Sequence, residues 1–354
     1  RRNEVLGRLR DGLQDVPVSR AIGDDPASQW GIRMPNDPSH RIYVWIDALF
    51  NYLSAVDTPQ RAHLWPPAMH VMAKDILWFH AVIWPAMLMA LDKPLPRQIY
   101  AHAYWVREGK KMSKSLGNFV DIDTLAAYIS KFGLDALRYY LITQGPSGQN
   151  DADFSHAKFV EVFNADLANG FGNATSRVGT MIAKYFDGQC PDPKGHHGLA
   201  GIDWPTIIAT RVRSAIVKAD TFDLPAALAE GMALVRQVDQ YINATEPFKL
   251  AKKVDAEPAK RDELAAILYH CAEALRVAAV LLSPAIPGAT SLLFKHWSCK
   301  TLGSMSTLAD ATDWDGPYSL RPGQAMTKGD ILFQRADPAD PPPVATPSQP
   351  PATI

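Results

Sequence analysis

Lys111-Met112-Ser113-Lys114-Ser115 is the stretch that decides the fold of this 354-residue chain. It lies within residues 109–118 and places two lysines three residues apart in a segment flanked by glycines. A mobile loop of this composition can close over a polyphosphate, because ammonium groups stabilise the negative charge that develops on a nucleotide triphosphate. For an arbitrary Lys-x-x-Lys sequence, an ordinary solvated basic turn would be the better interpretation.

The composition is that of a globular chain with balanced charge. Apolar residues make up 47% of the sequence and charged residues 21%, and 354 residues are enough for two domains with their own cores. The formal net charge is −1. An RNA partner would therefore be bound by local basic patches rather than by the charge of the whole chain.

The cysteines and the apolar runs of the sequence bear on metal sites, disulfides and membrane-spanning segments. The three cysteines, Cys190, Cys271 and Cys299, form no Cys-x-x-Cys pair. We therefore expect no metal site, no zinc in this segment and no disulfide framework, and a reducing compartment is favoured. The longest apolar run, near 272–282, contains Glu273 and Arg276 and predicts a buried helix rather than a membrane span. No membrane partner is expected.

Strands and helices alternate in the part of the chain before the pentad. Three strands are predicted, at 42–46, 69–73 and 98–103. Helices are predicted at 48–56, where Asp47 is the expected N-terminal cap, and at 75–91. This order favours a parallel α/β sheet, and the pentad follows the third strand, where ligands of such sheets bind.

The chain changes character after residues 145–148. Long helical patterns dominate from there and predict a helical bundle. The predicted helices cover 156–186, 205–220, 224–245 and 260–283, with a short one near 286–298. Seven prolines between 338 and 351 predict a disordered C-terminal tail.

Several stretches resemble a known enzyme family. The pentad is similar to the signature loop of class I aminoacyl-tRNA synthetases. Residues 43–52 and 70–80 resemble the methionine-pocket segments of the methionyl-tRNA synthetases, and residues 163–177 and 247–252 resemble the RNA-contacting elements of their anticodon-binding bundle. The resemblance runs from about residue 3 to residue 334 and is closest to the bacterial and organellar branch.

The resemblance implies an architecture in two parts. Residues 1–149 are expected to form the second half of a Rossmann-like class I catalytic domain, with its pentad loop. Residues 150–335 are expected to form an α-helical anticodon-binding domain, and residues 336–354 the proline-rich tail. The family's His-x-Gly-His-type element is absent from the sequence. We therefore expect an N-terminally truncated chain that alone forms little adenylate.

The resemblance also implies a methionine pocket. A thioether needs a soft, apolar and aromatic enclosure with few polar groups. The residues implied for this lining are Trp45, Ala48, Tyr52, Ile76 and His80. Tyr52 and His80 can supply the directional hydrogen bonds that separate methionine from leucine, and Trp84 is expected to buttress the pocket. Spacing alone would fit a core aromatic stripe equally well.

ATP is the expected second substrate and brings Mg²⁺ with it. The residues implied for its binding are Ala73, Asp75, Ser113, Lys114 and Ser115. Asp75, between a strand and a helix, is expected to hold the ribose, although in isolation it fits a helix cap. The family usually has glycine at the position of Ala73, and the added methyl group would reduce nucleotide affinity.

Lys111 and Lys114 are the expected catalytic residues. Lys114 would neutralise the β- and γ-phosphates while the carboxylate of methionine attacks the α-phosphorus, and Lys111 would support it. The 3′-terminal adenosine of methionine tRNA, initiator or elongator, then accepts the methionyl group.

The implied anticodon-binding residues lie on the bundle. Asn169, Asn173 and Arg177 occur at i, i+4 and i+8 and would share one helical face, for which a solvated polar surface is the alternative. Phe248 stands where the family usually carries tryptophan and would stack on a base with less area. Asp239 stands where asparagine is more usual, and a carboxylate is unfavourable beside RNA.

Two other functions stay open at this stage. A class I synthetase for leucine, isoleucine, valine or cysteine would have no use for the polar groups of Tyr52 and His80. A tRNA-binding paralogue without catalytic activity would share the bundle. The expected location is the cytoplasm, with the mitochondrial matrix as the alternative.

Overall fold

The computed structural model describes residues 1–107, 109–113, 117–148, 150–196 and 199–343 of the chain. The chain forms two compact units, one of residues 1–104 and 148–151 and one of residues 105–147 and 152 onward. The boundary predicted near residue 150 divides a catalytic domain from an RNA-binding domain. The two compact units are defined by contacts and not by function, so the predicted boundary stays a prediction.

Parallel strands form the centre of the first unit. The elements of this unit are α1 (Arg2–Arg10), β1 (Ser19–Ala21), β2 (Arg33–Met34), β3 (Asp37–Ile42), α2 (Val44–Ser54), β4 (Met69–Ala73), α3 (Trp84–Ala90) and β5 (Gln98–His102). β4 and β5 pair in parallel, with Met69 opposite Gln98 and Ala73 opposite His102. Parallel strands need a crossover, which here is helical. The predicted parallel α/β arrangement is confirmed.

The strand predicted at 42–46 is wrong after its first residue. β3 is the central strand of an antiparallel sheet, between β1 and β2, and it ends at Ile42. α2 begins at Val44. Asp47 lies in the first turn of α2, where a carboxylate is stabilised by the exposed N–H groups, and does not cap the helix. A short apolar run fits a strand and a buried helix equally well, and here the helix continues to Ser54.

The crossover between β4 and β5 is helical, as predicted for 75–91, but it is not one regular α-helix. A 3₁₀ turn covers Lys74–Ile76, a π-helical segment covers Phe79–Ile83, and α3 follows. Pro85 in the first turn of α3 gives the reason. It has no N–H, and its ring would collide with the carbonyl group four residues earlier in a regular helix. The wider π turn avoids this collision.

A small sheet and a helical bundle form the second unit. Its elements are β6 (Trp105–Arg107), β7 (Lys110–Lys111), α4 (Ile122–Phe132), α5 (Leu134–Gln144), β8 (Ala152–Asp153), α6 (His156–Val162), α7 (Asn173–Tyr185), α8 (Trp204–Asp220), α9 (Leu224–Thr245), α10 (Pro247–Leu250), α11 (Lys260–Leu282), α12 (Pro287–His296) and α13 (Leu308–Thr312). β6 is antiparallel to β7 and parallel to β8. The predicted helical bundle is confirmed, and α4 and α5 are helices that the sequence analysis did not assign.

The helix predicted at 156–186 contains a wide central segment. α6 continues into a π-helical stretch, Phe163–Gly172, before α7 begins at Asn173. Gly170 and Gly172 fit this geometry, because a Cβ atom there would approach the carbonyl oxygens of Ala165 and Leu167 to 3.0 and 2.9 Å. The absence of a side chain at both positions therefore permits the wide turn.

Helix α11 is buried from Leu264 to Leu282. Among the described residues it is the one helix long and apolar enough to cross a membrane, but its apolar window is entirely buried within the fold. A core helix of a globular protein passes the same test. The buried helix predicted near 272–282 is confirmed.

The two charges of α11 form a closed ion pair in the core. Arg276 Nη2 lies 2.6 Å from Glu273 Oε1, and both side chains are fully buried. Arg276 Nη1 donates to the carbonyl oxygen of Ala311 at 2.6 Å, and Glu273 Oε2 accepts from the N–H of Leu320 at 3.0 Å. The pair therefore also holds two later segments against α11.

Residues that begin the predicted tail make defined contacts. The side chain of Asn164 exchanges two hydrogen bonds with the backbone of Ala336, both at 2.9 Å. Asp340 pairs with Lys131 at 2.8 Å, and its carbonyl oxygen lies 3.1 Å from His156 Nε2. Residues 344–354 lie outside the described residues, so the tail prediction is untested there.

We predict that Glu273→Ala lowers the free energy of unfolding by about 3–5 kcal/mol, because Arg276 is left charged and unpaired in the core. Glu161→Ala is the matched control. Its partner Lys158, at 2.8 Å, is exposed, and the expected loss is below about 1 kcal/mol. Urea unfolding of the three proteins measures both values, and equal losses would contradict the structural role of the buried pair.

Candidate functional site

Three of the residues predicted to line a pocket meet beside α2. Tyr52 Oη lies 2.9 Å from His80 Nε2. The Trp45 ring stands perpendicular to the imidazole of His80, with ring centroids 6.2 Å apart. Trp45 and Tyr52 are seven residues apart on α2 and project from the same face. The structure therefore brings these three side chains together, and their binding of an amino acid stays a prediction.

The hydrogen bonds of His80 fix its tautomer. Nδ1 lies 3.1 Å from the carbonyl oxygen of Ile76, which can only accept, so Nδ1 carries the proton. Nε2 is then the acceptor, and the Tyr52 hydroxyl donates to it. Burial raises the pKa of Tyr52, so the hydroxyl keeps its proton. The pair presents no formal charge, which suits a neutral thioether.

Two ring residues that the sequence analysis left without a role complete this cluster. Phe79 stacks on Trp45, with ring centroids 4.3 Å apart and planes 13° from parallel. The ring of His70 lies 4.2 Å from that of Tyr52, and His70 Nε2 accepts a hydrogen bond from Trp84 Nε1 at 3.3 Å. Alternation along β4 places His70 on a buried face, and this pattern was the available signal for it.

Ile76 serves the site through its backbone. Its carbonyl oxygen orients His80, while its side chain packs against a separate small core cluster. The buried members of that cluster are Met72, Leu77 and Ala101. Ala48 lies one turn before Tyr52 on α2 and is half-buried.

The predicted ribose-binding carboxylate lies at the end of β4. Ala73 is the last residue of that strand, and Asp75 follows in an exposed 3₁₀ turn. The hydrogen bond that the Tyr104 hydroxyl makes with Asp75 raises the pKa of Tyr104. Asp75 does not cap the turn, whose cap position is Ala73. An exposed carboxylate at this end of parallel strands fits a ligand site, and the roles of both residues stay predictions.

Asn118 closes the base of the lysine loop. Its Oδ1 accepts from the N–H of Ser113 at 2.9 Å, and its Nδ2 donates to the carbonyl oxygen of Lys111 at 3.2 Å. Lys111 itself ends β7 and is exposed. Lys114 and Ser115, for which catalytic and ATP-binding roles are predicted, lie outside the described residues. The amide of Asn118 therefore holds the two ends of the loop together.

The glycines that flank the pentad occupy turn positions. Gly109 has a φ of 69° and Gly117 a φ of 62°. Residues other than glycine rarely adopt this left-handed backbone conformation without strain. Met112, between them, packs against the core of the second unit. One side chain of the pentad is therefore anchored, while Lys111 is available to a ligand.

The predicted RNA-reading residues of the bundle are only partly available. Asn169 and Asn173 are exposed, and Phe248 in α10 has 42% of its surface exposed. Arg177 Nη1 lies 3.1 Å from Asp239 Oδ1 on α9. Burial raises the pKa of Asp239, and the charge of Arg177 opposes this effect. The guanidinium is therefore already engaged by a carboxylate of the bundle.

Within the part of the chain that the structure describes, no group of three or more His, Cys, Asp and Glu side chains is placed to hold a metal ion. Cys190 and Cys271 are buried, and burial raises the pKa of both thiols. These two thiols therefore stay protonated and act as packing groups.

Comparison of the sequence with known proteins identifies the family of this chain. The sequence profile described as "tRNA synthetases class I (M)" matches residues 1–179, about half of the chain. The chain belongs to this family. The membership predicted from the sequence is confirmed.

Curated relatives of this class I synthetase chain are methionine–tRNA ligases from bacteria. That of Caldanaerobacter subterraneus subsp. tengcongensis is 38% identical over 344 residues, which are 95% of this chain and 50% of the relative. That of Bacillus subtilis is 40% identical over 345 residues, which are 95% of this chain and 49% of the relative. The synthetase chain thus spans about half the length of these relatives.

A solved structure agrees with the fold of the synthetase chain. Mycobacterium tuberculosis methionyl-tRNA synthetase in complex with methionyl-adenylate matches with a TM-score of 0.75 and 32% identity. The match covers 94% of this chain and 63% of that one. The predicted fold class, a class I synthetase α/β region followed by a helical bundle, is confirmed.

His70 makes the stability of the synthetase chain depend on pH. Burial, and to a lesser degree the neighbouring His80, lowers the pKa of His70 from 6.5 to about 4. The titratable groups that face His70 are Tyr52 and His80. Between these two pH values the unfolded chain binds a proton at His70 and the folded chain does not. The free energy of unfolding therefore falls as the pH drops from 6.5 towards 4, and this group costs nothing above 6.5.

We predict that His70→Gln, which cannot titrate, loses less stability than the wild-type chain between about pH 7 and about pH 4.5. Urea unfolding at a series of pH values measures this difference. The same slope in both proteins would show that His70 is not held neutral in the fold.

Proposed function

We propose that this chain is part of a methionine–tRNA ligase. Such an enzyme uses ATP to convert methionine to methionyl-adenylate and transfers the methionyl group to the 3′ end of methionine tRNA. The observation that carries the proposal is the uncharged Tyr52–His80 pair within an aromatic wall, in a chain of this synthetase family. The activity named for the bacterial relatives and the adenylate bound to the structural neighbour support it.

Methionine fits the chemistry of the ring cluster. Its sulfur is polarisable and makes favourable contacts with aromatic rings, and Trp45 and Phe79 form a stacked pair of such rings beside His80. The hydroxyl of Tyr52 is the directional group, and its O–H can turn from His80 Nε2 to donate to a thioether sulfur. A leucine side chain has no sulfur to accept this hydrogen bond, so the Tyr52 hydroxyl would stay with His80 and leucine would gain nothing from it.

Activation with ATP requires positively charged groups near the phosphates, in contrast to the apolar surroundings that suit the methionine side chain. A carboxylate oxygen of methionine attacks the α-phosphorus of ATP, the bond between this phosphorus and the α,β-bridging oxygen breaks, and pyrophosphate leaves. Lys111 and Lys114 stabilise the charge on the leaving phosphates, with Ser113 and Ser115 shaping the loop, and Asp75 holds the ribose. Mg²⁺ arrives with ATP as part of the substrate. Alignment and charge stabilisation are sufficient, so no covalent nucleophile is required.

The bundle supplies the RNA contacts in this proposal. Asn169 and Asn173 read base edges, Phe248 stacks on an unstacked anticodon base, and Arg177 contacts a phosphate. Initiator and elongator methionine tRNAs share this anticodon and are both substrates. A hydroxyl of the 3′-terminal adenosine attacks the methionyl carbonyl, and AMP leaves. We infer a cytoplasmic location, supported by the bacterial relatives, with the mitochondrial matrix as the alternative.

Methionine-dependent ATP–pyrophosphate exchange by the full-length gene product tests the proposal. We expect Lys111→Ala and Lys114→Ala to lower kcat by about 10²–10³-fold, because each removes charge stabilisation in the transition state. Lys110→Ala is the matched control, since alternation along β7 points Lys110 to the opposite face, and a change of less than about 3-fold is expected.

The other outcomes of this assay point to the rival functions. Exchange with leucine or valine as strong as with methionine would indicate another class I synthetase. No exchange, together with tight binding of methionine tRNA, would indicate a non-catalytic tRNA-binding paralogue.

We predict that Asp239→Asn tightens binding of methionine tRNA by about 2–5-fold, because it releases Arg177 and removes a carboxylate beside RNA. A filter-binding titration with the anticodon stem-loop measures the change. Arg177→Ala is the control background, in which Asp239→Asn should bring a smaller gain. Weaker binding in Asp239→Asn would mean that the ion pair holds Arg177 in its binding orientation.

A further inference from the structure

One buried histidine has no role in the chemistry proposed above. His70 lies on the inward face of β4 and is 5% exposed. Its nearest ring neighbour is Tyr52, at 4.2 Å between centroids, and His80 follows at 6.0 Å. Trp84, which is fully buried, donates its indole N–H to His70 Nε2 at 3.3 Å. His70 is therefore in contact with the pocket pair and lies behind it.

The hydrogen bond from Trp84 determines the tautomer of His70. An indole N–H can only donate, so His70 Nε2 is unprotonated and the neutral ring carries its proton on Nδ1. The carbonyl oxygen of Ile76 imposes the same tautomer on His80. In their neutral form both imidazoles therefore carry the proton on Nδ1, since the indole N–H can only donate and the carbonyl oxygen can only accept.

The orientation of the Tyr52 ring depends on what packs against it. Its aromatic neighbours are His70 at 4.2 Å, His80 at 5.7 Å and Trp84 at 6.0 Å between centroids. His70 is the nearest of the three, with the two ring planes 43° apart. The hydroxyl group is at the far end of the tyrosine ring, so a tilt of the ring moves it more than the other ring atoms. The ring that limits this tilt therefore controls where the hydroxyl points.

We propose that His70 is a positioning residue that sets substrate selectivity through Tyr52. Its ring holds the Tyr52 hydroxyl against His80, and Trp84 holds the His70 ring in place. The inference rests on the proposed activation of methionine. It follows that His70 determines how well the site separates the thioether of methionine from the methylene of 2-aminohexanoic acid, although it touches neither.

The test is a double-mutant cycle in the full-length gene product, measured by ATP–pyrophosphate exchange with methionine and with 2-aminohexanoic acid. His70→Gln keeps an acceptor for Trp84 but removes the ring, and Tyr52→Phe removes the hydroxyl. We expect each change to lower the selectivity ratio of kcat/KM by about 10-fold, by raising KM for methionine with kcat little changed. The KM for ATP should not change.

The cycle separates positioning from a general structural effect. The double variant should be no less selective than Tyr52→Phe alone, because His70 acts through the hydroxyl that this change removes. His70→Phe restores a ring against Tyr52 and should keep most of the wild-type selectivity, although it leaves the Trp84 N–H without an acceptor. Thermal melting of each variant reports folding, and His70→Asn replaces His70→Gln if the latter does not fold.

Three results would overturn the inference. They are unchanged selectivity in His70→Gln, additive losses in the double variant, and a loss in His70→Phe as large as in His70→Gln. All three require a wild-type protein that shows methionine-dependent exchange. Failure of the wild-type protein to exchange would instead overturn the proposed function, so the two failures are distinguishable.

Discussion

Burial of α11 from Leu264 to Leu282 is the constraint on which the second unit depends. This part of the helix has no polar face, so each polar group on it needs a partner inside the bundle. Glu273 and Arg276 pair with each other, and His270 lies 3.1 Å from the Tyr241 hydroxyl and 2.7 Å from the carbonyl oxygen of His196. These interactions fix segments far apart in sequence around one helix, and the candidate RNA-binding residues occupy the outer surface of this rigid framework.

The residues proposed for methionine and those proposed for ATP differ in exposure. The groups that would meet methionine, Tyr52 and His80, are uncharged, satisfied and partly or fully buried. The groups that would meet ATP, Lys111 and Asp75, are charged and exposed. An uncharged polar group can be buried at little cost once it is hydrogen-bonded, whereas a charged group is far more costly to bury. The arrangement therefore keeps the charged residues in contact with solvent.

Much of the fold could be predicted from sequence pattern, and the failures have physical causes. The bundle helices were predicted well because each is long and periodic, whereas residues 42–46 were too short to separate strand from helix. Tyr52 and His80 were predicted to line a pocket through a family resemblance. Alternation along β4 indicates that His70 is buried, but the contacts that His70 and Phe79 make with the other rings of the cluster depend on packing between elements, which no local pattern encodes. Pro85 in one helix and Gly170 and Gly172 in another are visible in the sequence. Only the structure showed that these helices contain π-helical segments at or next to these residues.

The same limit applies to pairs that are distant in sequence. Arg177 and Asp239 are 62 residues apart, and their ion pair could not be predicted from either helix alone. Each residue was assessed separately, one as an RNA-binding cation and the other as an unfavourable carboxylate. Their proximity makes them one unit, in which the guanidinium is neutralised before any ligand arrives.

This pairing has a consequence for how RNA binding would respond to ionic strength. A free cation that meets a phosphate releases a condensed counterion, and such releases make affinity fall with added salt. If a phosphate takes Arg177, Asp239 is left without its partner and recruits a cation from solution. Uptake there offsets release at the phosphate, so the exchange contributes almost nothing to the salt dependence. Arg177 would then recognise RNA by geometry, largely insensitive to the ions around it.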